Sequence, residues 1–165
     1  MKTKKIAFLG VMGALAIAVT FLEGLFNIPF LPPGAKPGLS NIITVAAYFV
    51  SGSVGAVYVS ALKALFALIT RGGIAFLLSL SGGLFSAFIM ILLFKMKKCP
   101  FSTIGISIIG AICHNLMQIF VSIIVTKTVS LIYYLPVLLI FSLISGTVTG
   151  VILKSLFEKS REREL

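Results

Sequence analysis

The stretch GIAFLLSLSGGLFSAFIMILLF, residues 73–94, carries no charged side chain and is followed by Lys95, Lys97 and Lys98. An apolar run of this length crosses the hydrocarbon core of a bilayer, about 30 Å thick, as one α-helix. Comparable runs recur along the chain, in which 59% of the residues are hydrophobic and 11% are charged, whereas soluble domains carry about 25% charged residues. The sequence therefore predicts an all-α, polytopic membrane protein.

Six membrane helices are predicted, within one integral membrane domain over residues 1–165. The first apolar run is too long for a cleavable signal peptide and precedes further membrane segments, so we expect it to remain as the first helix. The small residues Ser51-Gly52-Ser53 leave two interpretations, a turn between two helices or a kink in one longer helix. The predicted helices cover residues 6–26, 39–51, 53–70, 73–94, 102–125 and 131–157.

Basic residues gather in three clusters, before the first helix, after the fourth and at the end of the sixth. Since such clusters stay in the cytoplasm, an even number of spans must separate any two of them. Four spans before Lys95 and two after it satisfy this rule and place both termini in the cytoplasm, whereas one helix over 39–70 would break it. Basic residues that orient the protein in the membrane and contact anionic lipid headgroups explain the net charge of +10. The charge therefore does not indicate nucleic-acid binding. The clusters are Lys2, Lys4 and Lys5; Lys95, Lys97 and Lys98; and Lys154, Lys159, Arg161 and Arg163.

A stiff loop, LPPGAKPGLSN, residues 31–41, separates the first two predicted helices. Proline fixes φ and glycine permits unusual conformations, so three prolines and two glycines hold Lys36 in a defined place. In the predicted topology Lys36, Arg71 and Lys127 lie in outer loops, and Glu23 lies near the outer end of the first helix. We expect the functional site on this side.

Lys63 falls inside the third predicted helix, on a small and polar face. A charged group within a span costs at least about 2.5–3.5 kcal/mol, so we expect Lys63 to face protein, ligand or water. The alternative is that Lys63 snorkels to the interface or pairs with Glu23.

The fifth predicted helix carries a polar stripe that includes His114 and Gln118, and Asn115 borders it. His114 and Gln118 are one helical turn apart, so both side chains can contact the same object. These three residues predict either a ligand-binding or pore role, or hydrogen bonding between helices.

Small residues recur every four positions on the first helix, at Gly10, Ala14 and Ala18. Such a stripe lets another helix approach closely. It predicts either internal packing or a docking face for a partner subunit. Gly146 and Gly150 form a second close-approach face on the last helix.

The residues that are absent argue against catalysis. The chain has no aspartate, and Glu23 is the only acid outside the C-terminal tail, so the paired-aspartate magnesium site that handles diphosphates is missing. There is no Walker glycine loop and no nucleophile with a positioned base. Two cysteines and one histidine make a poor metal set. We expect no catalytic residue, no cofactor and no metal.

Several motifs resemble the Gx transporter family, also called heptaprenyl diphosphate synthase component I. This family is similar to the substrate-binding subunits, or S components, of energy-coupling-factor (ECF) importers. The resemblance spans residues 5–155. The motifs that carry it are Pro33-Gly34-Ala35-Lys36-Pro37-Gly38-Leu39-Ser40-Asn41, Ser81-Gly82-Gly83-Leu84, Gly110-Ala111-xx-His114-Asn115-xx-Gln118 and Tyr133-Tyr134-Leu135-Pro136.

The resemblance implies a six-helix bundle in a prokaryotic plasma membrane that binds a small molecule from outside. Residues 31–41 would close over the ligand, and Gly10, Ala14 and Ala18 would dock the transmembrane coupling subunit, with ATPase subunits supplying energy in trans. We therefore expect a non-catalytic importer subunit for a small anionic micronutrient or precursor. Lys36, Lys63 and Arg71 would neutralise the anion, and hydrogen bonds to orient it would come from Asn41, His114, Asn115 and Gln118.

Two other functions stay open. The family's synthase name connects it with isoprenoid diphosphates, so the chain would instead be a non-catalytic accessory protein of isoprenoid quinone synthesis or membrane electron transfer. An autonomous channel is less favoured, because the sequence shows no continuous polar path.

Overall fold

The computed structural model describes residues 2–25, 38–96 and 100–162, and among them the side chains of residues 5–25, 38–96 and 100–155. The regular structure of this part of the chain is helical, which confirms the predicted all-α class. Five of the helices are long and apolar enough to cross a membrane. The elements are α1 (Lys2–Leu25), α2 (Asn41–Arg71), α3 (Gly73–Lys95), α4 (Thr103–Thr126), a 3-10 helix η1 (Val129–Tyr134) and α5 (Leu135–Glu162).

Helix α2 reverses direction at Gly52. This glycine has φ 70° and ψ −161°, outside the helical region and accessible mainly to glycine. The Nζ atom of Lys63 lies 2.8 Å from Oδ1 of Asn41, 22 residues earlier. In a continuous helix these residues would be separated by about 33 Å. The segments 41–51 and 53–71, here called the first and second arms of α2, therefore run back along each other.

The two arms of α2 approach closely next to this reversal. A Cβ atom added to Gly55 would lie 2.5 Å from the carbonyl oxygen of Ala47. Further from the reversal, Ile43 and Ala47 of the first arm share a buried cluster with Val59 of the second arm and Ala16 of α1. Both arms of α2 thus pack against α1 as well as against each other.

The predicted count of six separate helices differs from the five long helices described. The difference lies at Ser51-Gly52-Ser53, where a single glycine reverses the chain and no loop divides the arms. The break itself lies where the small residues predicted it. The last helix also begins later than expected, since residues 129–134 form η1 and α5 starts at Leu135. Pro136 suits a helical first turn, where its missing N–H is not needed.

Small residues set the distances between the later helices. On α5, a Cβ atom at Gly146 would lie 2.6 Å from the Cα of Ile108, and one at Gly150 would lie 2.5 Å from the Cα of Ile104. The predicted close-approach face of Gly146 and Gly150 is therefore confirmed as the contact with α4. Between α3 and α4, Ser86 donates a hydrogen bond to the carbonyl oxygen of Gly110 at 2.8 Å. Close backbone approach and interhelical hydrogen bonds are the usual cohesive forces between membrane helices.

Each long helix packs against the next in the sequence, and α5 returns to contact α2. A second buried cluster joins three of these helices and the first arm of α2. It contains Val45, Met90, Ile106 and Leu153. Many large apolar side chains on the outside of the bundle are exposed, as expected where lipid replaces water.

Candidate ligand-binding site

A small polar cavity lies between α1, α2, α3 and α4. Its free interior is close to the size of one water molecule. It is built from the last turns of α1, the segment that precedes α2, the second arm of α2, and the middle of α4. Polar side chains dominate its wall, which is unusual inside a membrane bundle. The lining residues are Thr20, Glu23, Gly38, Ser40, Lys63, Arg71, Ser79, His114 and Gln118.

Lys63 lies deep in this wall, with 3% of its surface exposed. Its Nζ donates to Oδ1 of Asn41 at 2.8 Å and contacts Oγ1 of Thr44 at 3.5 Å. Both acceptors are on the first arm of α2, so the reversal at Gly52 brings them to the lysine. Because the ammonium group is buried and held by neutral oxygens, Lys63 does not snorkel to the interface.

Glu23 is the acidic group of the cavity and is 4% exposed. Its Oε1 accepts a hydrogen bond from the backbone N–H of Ser40 at 3.1 Å. Ser40 precedes α2, so the carboxylate lies beside the helix N-terminus, where a negative charge is favoured. The sequence indicates for Glu23 only a role as a partner for Lys63. An acid within a membrane helix is itself a signal of a functional position.

His114 and Gln118 face the cavity from α4, and both are buried. Nε2 of Gln118 lies 3.0 Å from Nε2 of His114. An amide nitrogen only donates, so the histidine nitrogen accepts in this pair. Opposite them lies Gly82 of α3, where an added Cβ atom would be 3.0 Å from the imidazole ring and 3.1 Å from Cγ of Gln118. The missing side chain at Gly82 makes room for both polar groups.

Asn115 does not join His114 and Gln118 at the cavity. Its Nδ2 donates to Oγ of Ser142 at 2.8 Å and to the carbonyl oxygen of Leu138 at 3.3 Å, both on α5. It therefore makes the interhelical hydrogen bonds that were the alternative prediction for this stripe. The physical reason is rotation: consecutive helix positions differ by about 100°, so a neighbour of His114 faces another helix.

Arg71 ends α2 and borders two cavities. The second cavity is more open and more apolar and lies between α1 and the second arm of α2. An edge-to-face contact of Phe21 with Phe66, with ring centroids 6.5 Å apart, forms part of its wall. Its lining residues are Thr20, Phe21, Gly24, Leu25, Phe66, Thr70 and Arg71.

Lys36 and most of the loop 31–41 lie outside the described residues. Only its last part, residues 38–41, is described. Gly38 has φ 88°, and a Cβ atom placed on it would be 3.4 Å from both Nδ2 of Asn41 and Cδ2 of His114. The end of the loop thus forms the cavity wall next to His114.

The small-residue stripe of α1 faces away from the bundle. Gly10, Ala14 and Ala18 are all exposed, and a Cβ atom on Gly10 would meet nothing within 4 Å. The opposite face of α1 carries the buried residues, including Ala16, Thr20 and Glu23. Within the described residues, the stripe therefore does not serve internal packing.

No three His, Cys, Asp or Glu side chains come together as a metal-binding group in the part of the chain that the structure describes. The cavity offers groups that can bind a ligand. Lys63 and Arg71 supply positive charge, Glu23 supplies negative charge, and His114 and Gln118 supply hydrogen bonds.

The comparisons with known proteins identify the family and the fold. A family model described as heptaprenyl diphosphate synthase component I matches residues 12–156. The chain belongs to this family. The match confirms the resemblance found in the sequence motifs, and it includes the cavity-lining residues of α1, α2, α3 and α4. No curated protein matches the chain.

The chain has the fold of an S component. A solved structure described as "Structure and mechanism of the S component of a bacterial ECF transporter" is similar to this chain with a TM-score of 0.74. The two are 20% identical, and the match covers 98% of each chain. The similarity therefore includes the whole bundle, with the helices that carry the cavity.

Proposed function

We propose that this protein is the membrane-embedded substrate-binding subunit of an importer. Its whole-chain similarity to an S component supports the proposal. The observation that carries it is the cavity in which buried Lys63, His114 and Gln118 converge with Arg71 and Glu23. Buried ionisable groups are costly in a membrane protein and mark ligand or ion sites.

The proposed ligand is a small micronutrient or precursor that carries an anionic group. Lys63 and Arg71 neutralise that group, and Lys36 adds a third cation from the loop. Asn41, His114 and Gln118 orient the ligand by hydrogen bonds, since charge-assisted and directional bonds together give specificity. Asn115 supports the site indirectly, because it ties the helix of His114 to α5.

Energy for import comes from other polypeptides in this proposal. The chain binds without catalysis, and ATPase subunits act through a transmembrane coupling subunit. The exposed stripe of Gly10, Ala14 and Ala18 is the proposed contact with that subunit, because small residues permit close helix approach. Both termini face the cytoplasm of a prokaryotic cell, so the cavity opens towards the outside.

Purification of the tagged, full-length protein in mild detergent tests the proposal. We expect ATPases and a coupling subunit to copurify with it, and the complex to accumulate a small molecule in vesicles when ATP is supplied. The family description favours one alternative, an accessory protein of isoprenoid quinone synthesis. Stable copurification with a prenyl synthase or a flavoprotein, without ATPases, would support that alternative and contradict an import function.

A further inference from the structure

We propose that Glu23 binds a protonated, basic N–H group of the ligand, so that the ligand is amphoteric and carries both this group and an anionic group. This inference rests on the proposed binding function and specifies the chemical class of the substrate. The expectation from the sequence was a small anionic ligand, with Glu23 as a possible partner of Lys63.

The first observation is the state of the Glu23 carboxylate. One oxygen, Oε1, accepts the Ser40 N–H. The other oxygen, Oε2, is buried and has no hydrogen-bond partner within the described part of the chain. A buried polar atom in this state is destabilising, and more so if it is charged. Glu23 lines the cavity, so a ligand there can supply the missing donor.

Two of the neighbouring donors already have acceptors. The Lys63 ammonium is held by Asn41 and Thr44 on the first arm of α2. The Ser40 N–H is used by Oε1. A donor for Oε2 that comes from the ligand leaves these hydrogen bonds in place.

The charges around the cavity point to the same class of ligand. Lys63 and Arg71 attract an anionic group, whereas the Glu23 carboxylate repels one. A purely anionic ligand therefore meets both attraction and repulsion in this cavity. A ligand with an anionic group and an N–H group satisfies both signs of charge, which also rejects competitors that lack either group.

Asn41 supplies a second polar atom without a hydrogen-bond partner. Its Oδ1 accepts from Lys63, while its Nδ2 is buried without a partner among the described residues. This nitrogen lies next to Gly38, which lines the cavity. A ligand acceptor next to Asn41 and a ligand donor next to Glu23 would complete the hydrogen bonding of the wall.

The test uses full-length protein in detergent, washed free of ligand, as wild type, Glu23→Gln and Glu158→Gln. Glutamine keeps an oxygen for the Ser40 N–H but removes the charge. Glu158→Gln is the matched control, because it makes the same substitution in the C-terminal segment. The probe is a protein-free extract of cellular small molecules, separated by ion exchange into anionic, cationic and amphoteric fractions. The thermal unfolding midpoint reports binding, and mass spectrometry identifies the compound that binds.

We expect the amphoteric fraction to raise the midpoint of the wild type and of Glu158→Gln. Glu23→Gln should keep its ligand-free midpoint but need at least about tenfold more of the bound compound for the same shift, as expected for a lost charged hydrogen bond.

Three results would overturn the inference while leaving import intact. They are stabilisation by the anionic fraction alone, an unchanged response of Glu23→Gln, and a large loss of ligand-free stability in Glu23→Gln, which would make Glu23 structural. Only wild-type protein is needed to find which fraction raises the midpoint. This measurement therefore tests the inference even if Glu23→Gln fails to fold. If no fraction stabilises the wild type, the binding function fails together with the inference.

Discussion

Lys63 is buried against neutral oxygens, so its charge is only partly compensated before a ligand binds. Lys63→Met keeps much of the side-chain length and removes the charge. We expect it to lower ligand affinity by about 1.5–3 kcal/mol, the value of a lost charged hydrogen bond, with little loss of folded protein. Titration of the thermal midpoint with the stabilising small-molecule fraction measures this change.

Lys127→Met is the matched control for Lys63→Met, since Lys127 is an exposed lysine outside the cavity wall. Normal ligand binding by Lys63→Met would show that Lys63 does not contribute to the ligand site. A defect in Lys63→Met that only Glu23→Gln restores would show that the two residues form a structural pair.

Gly82 and Gly83 offer a second comparison between single residues. A Cβ atom at Gly82 would lie 3.0 Å from the His114 ring, whereas one at Gly83 would lie 3.5 Å from Oγ of Ser60, an ordinary contact. We expect Gly82→Ala to displace His114 and Gln118 and weaken ligand binding at least about tenfold, while overpacking costs at most about 1–3 kcal/mol of stability. Gly83→Ala should bind normally. Equal binding by both variants, measured by the same titration, would contradict a role for this close approach.

The reversal within α2 depends on the backbone conformation of Gly52. A side chain at Gly52 would meet no atom within 4 Å, so Gly52→Ala tests backbone strain alone. We expect a loss of about 1–3 kcal/mol of stability, because an L-residue is strained at φ 70°. Gly73→Ala, also free of contacts but at the first residue of α3, should be neutral or stabilising. An unfolding midpoint of Gly52→Ala equal to that of the wild type would show that alanine is accommodated at this reversal without strain.

Helix α1 is the element whose outer face is proposed to dock a partner. Ala14→Leu adds bulk to the exposed stripe, so we expect weaker copurification with the coupling subunit and unchanged ligand binding. Thr147→Leu adds bulk to an exposed position of α5 and serves as the control. A folding defect in Ala14→Leu, seen by size-exclusion chromatography, would favour internal packing instead.

For the whole molecule, the three basic clusters predict both termini in the cytoplasm. Reporter fusions after residue 36 and after Lys98 should therefore report opposite sides of the membrane. Cysteine labelling from outside at the same two positions gives an independent measurement. Reports from the same side would contradict both the topology and the outward-facing cavity.

The sequence predicted the membrane class, the break at Gly52 and the close approach of Gly146 and Gly150, because hydropathy and small-residue spacing act locally. It did not predict that Asn115 faces α5, since that depends on the rotation of α4 in the bundle. The partners of Lys63 and Glu23 also depend on packing, because Asn41 and Ser40 are 22 and 17 residues away. Chain reversal, rather than local pattern, brings those groups together.

The depth of Lys63 has an electrical consequence. It lies eight residues before Arg71 in the second arm of α2, about 12 Å along the helix, or about two fifths of the hydrocarbon thickness. With the proposed orientation, an anion that travels from the outer surface to Lys63 moves against a negative-inside membrane voltage. At 100 mV, this part of the field costs about 1 kcal/mol per net charge. A ligand with no net charge enters without that cost. Its binding is therefore independent of the membrane voltage.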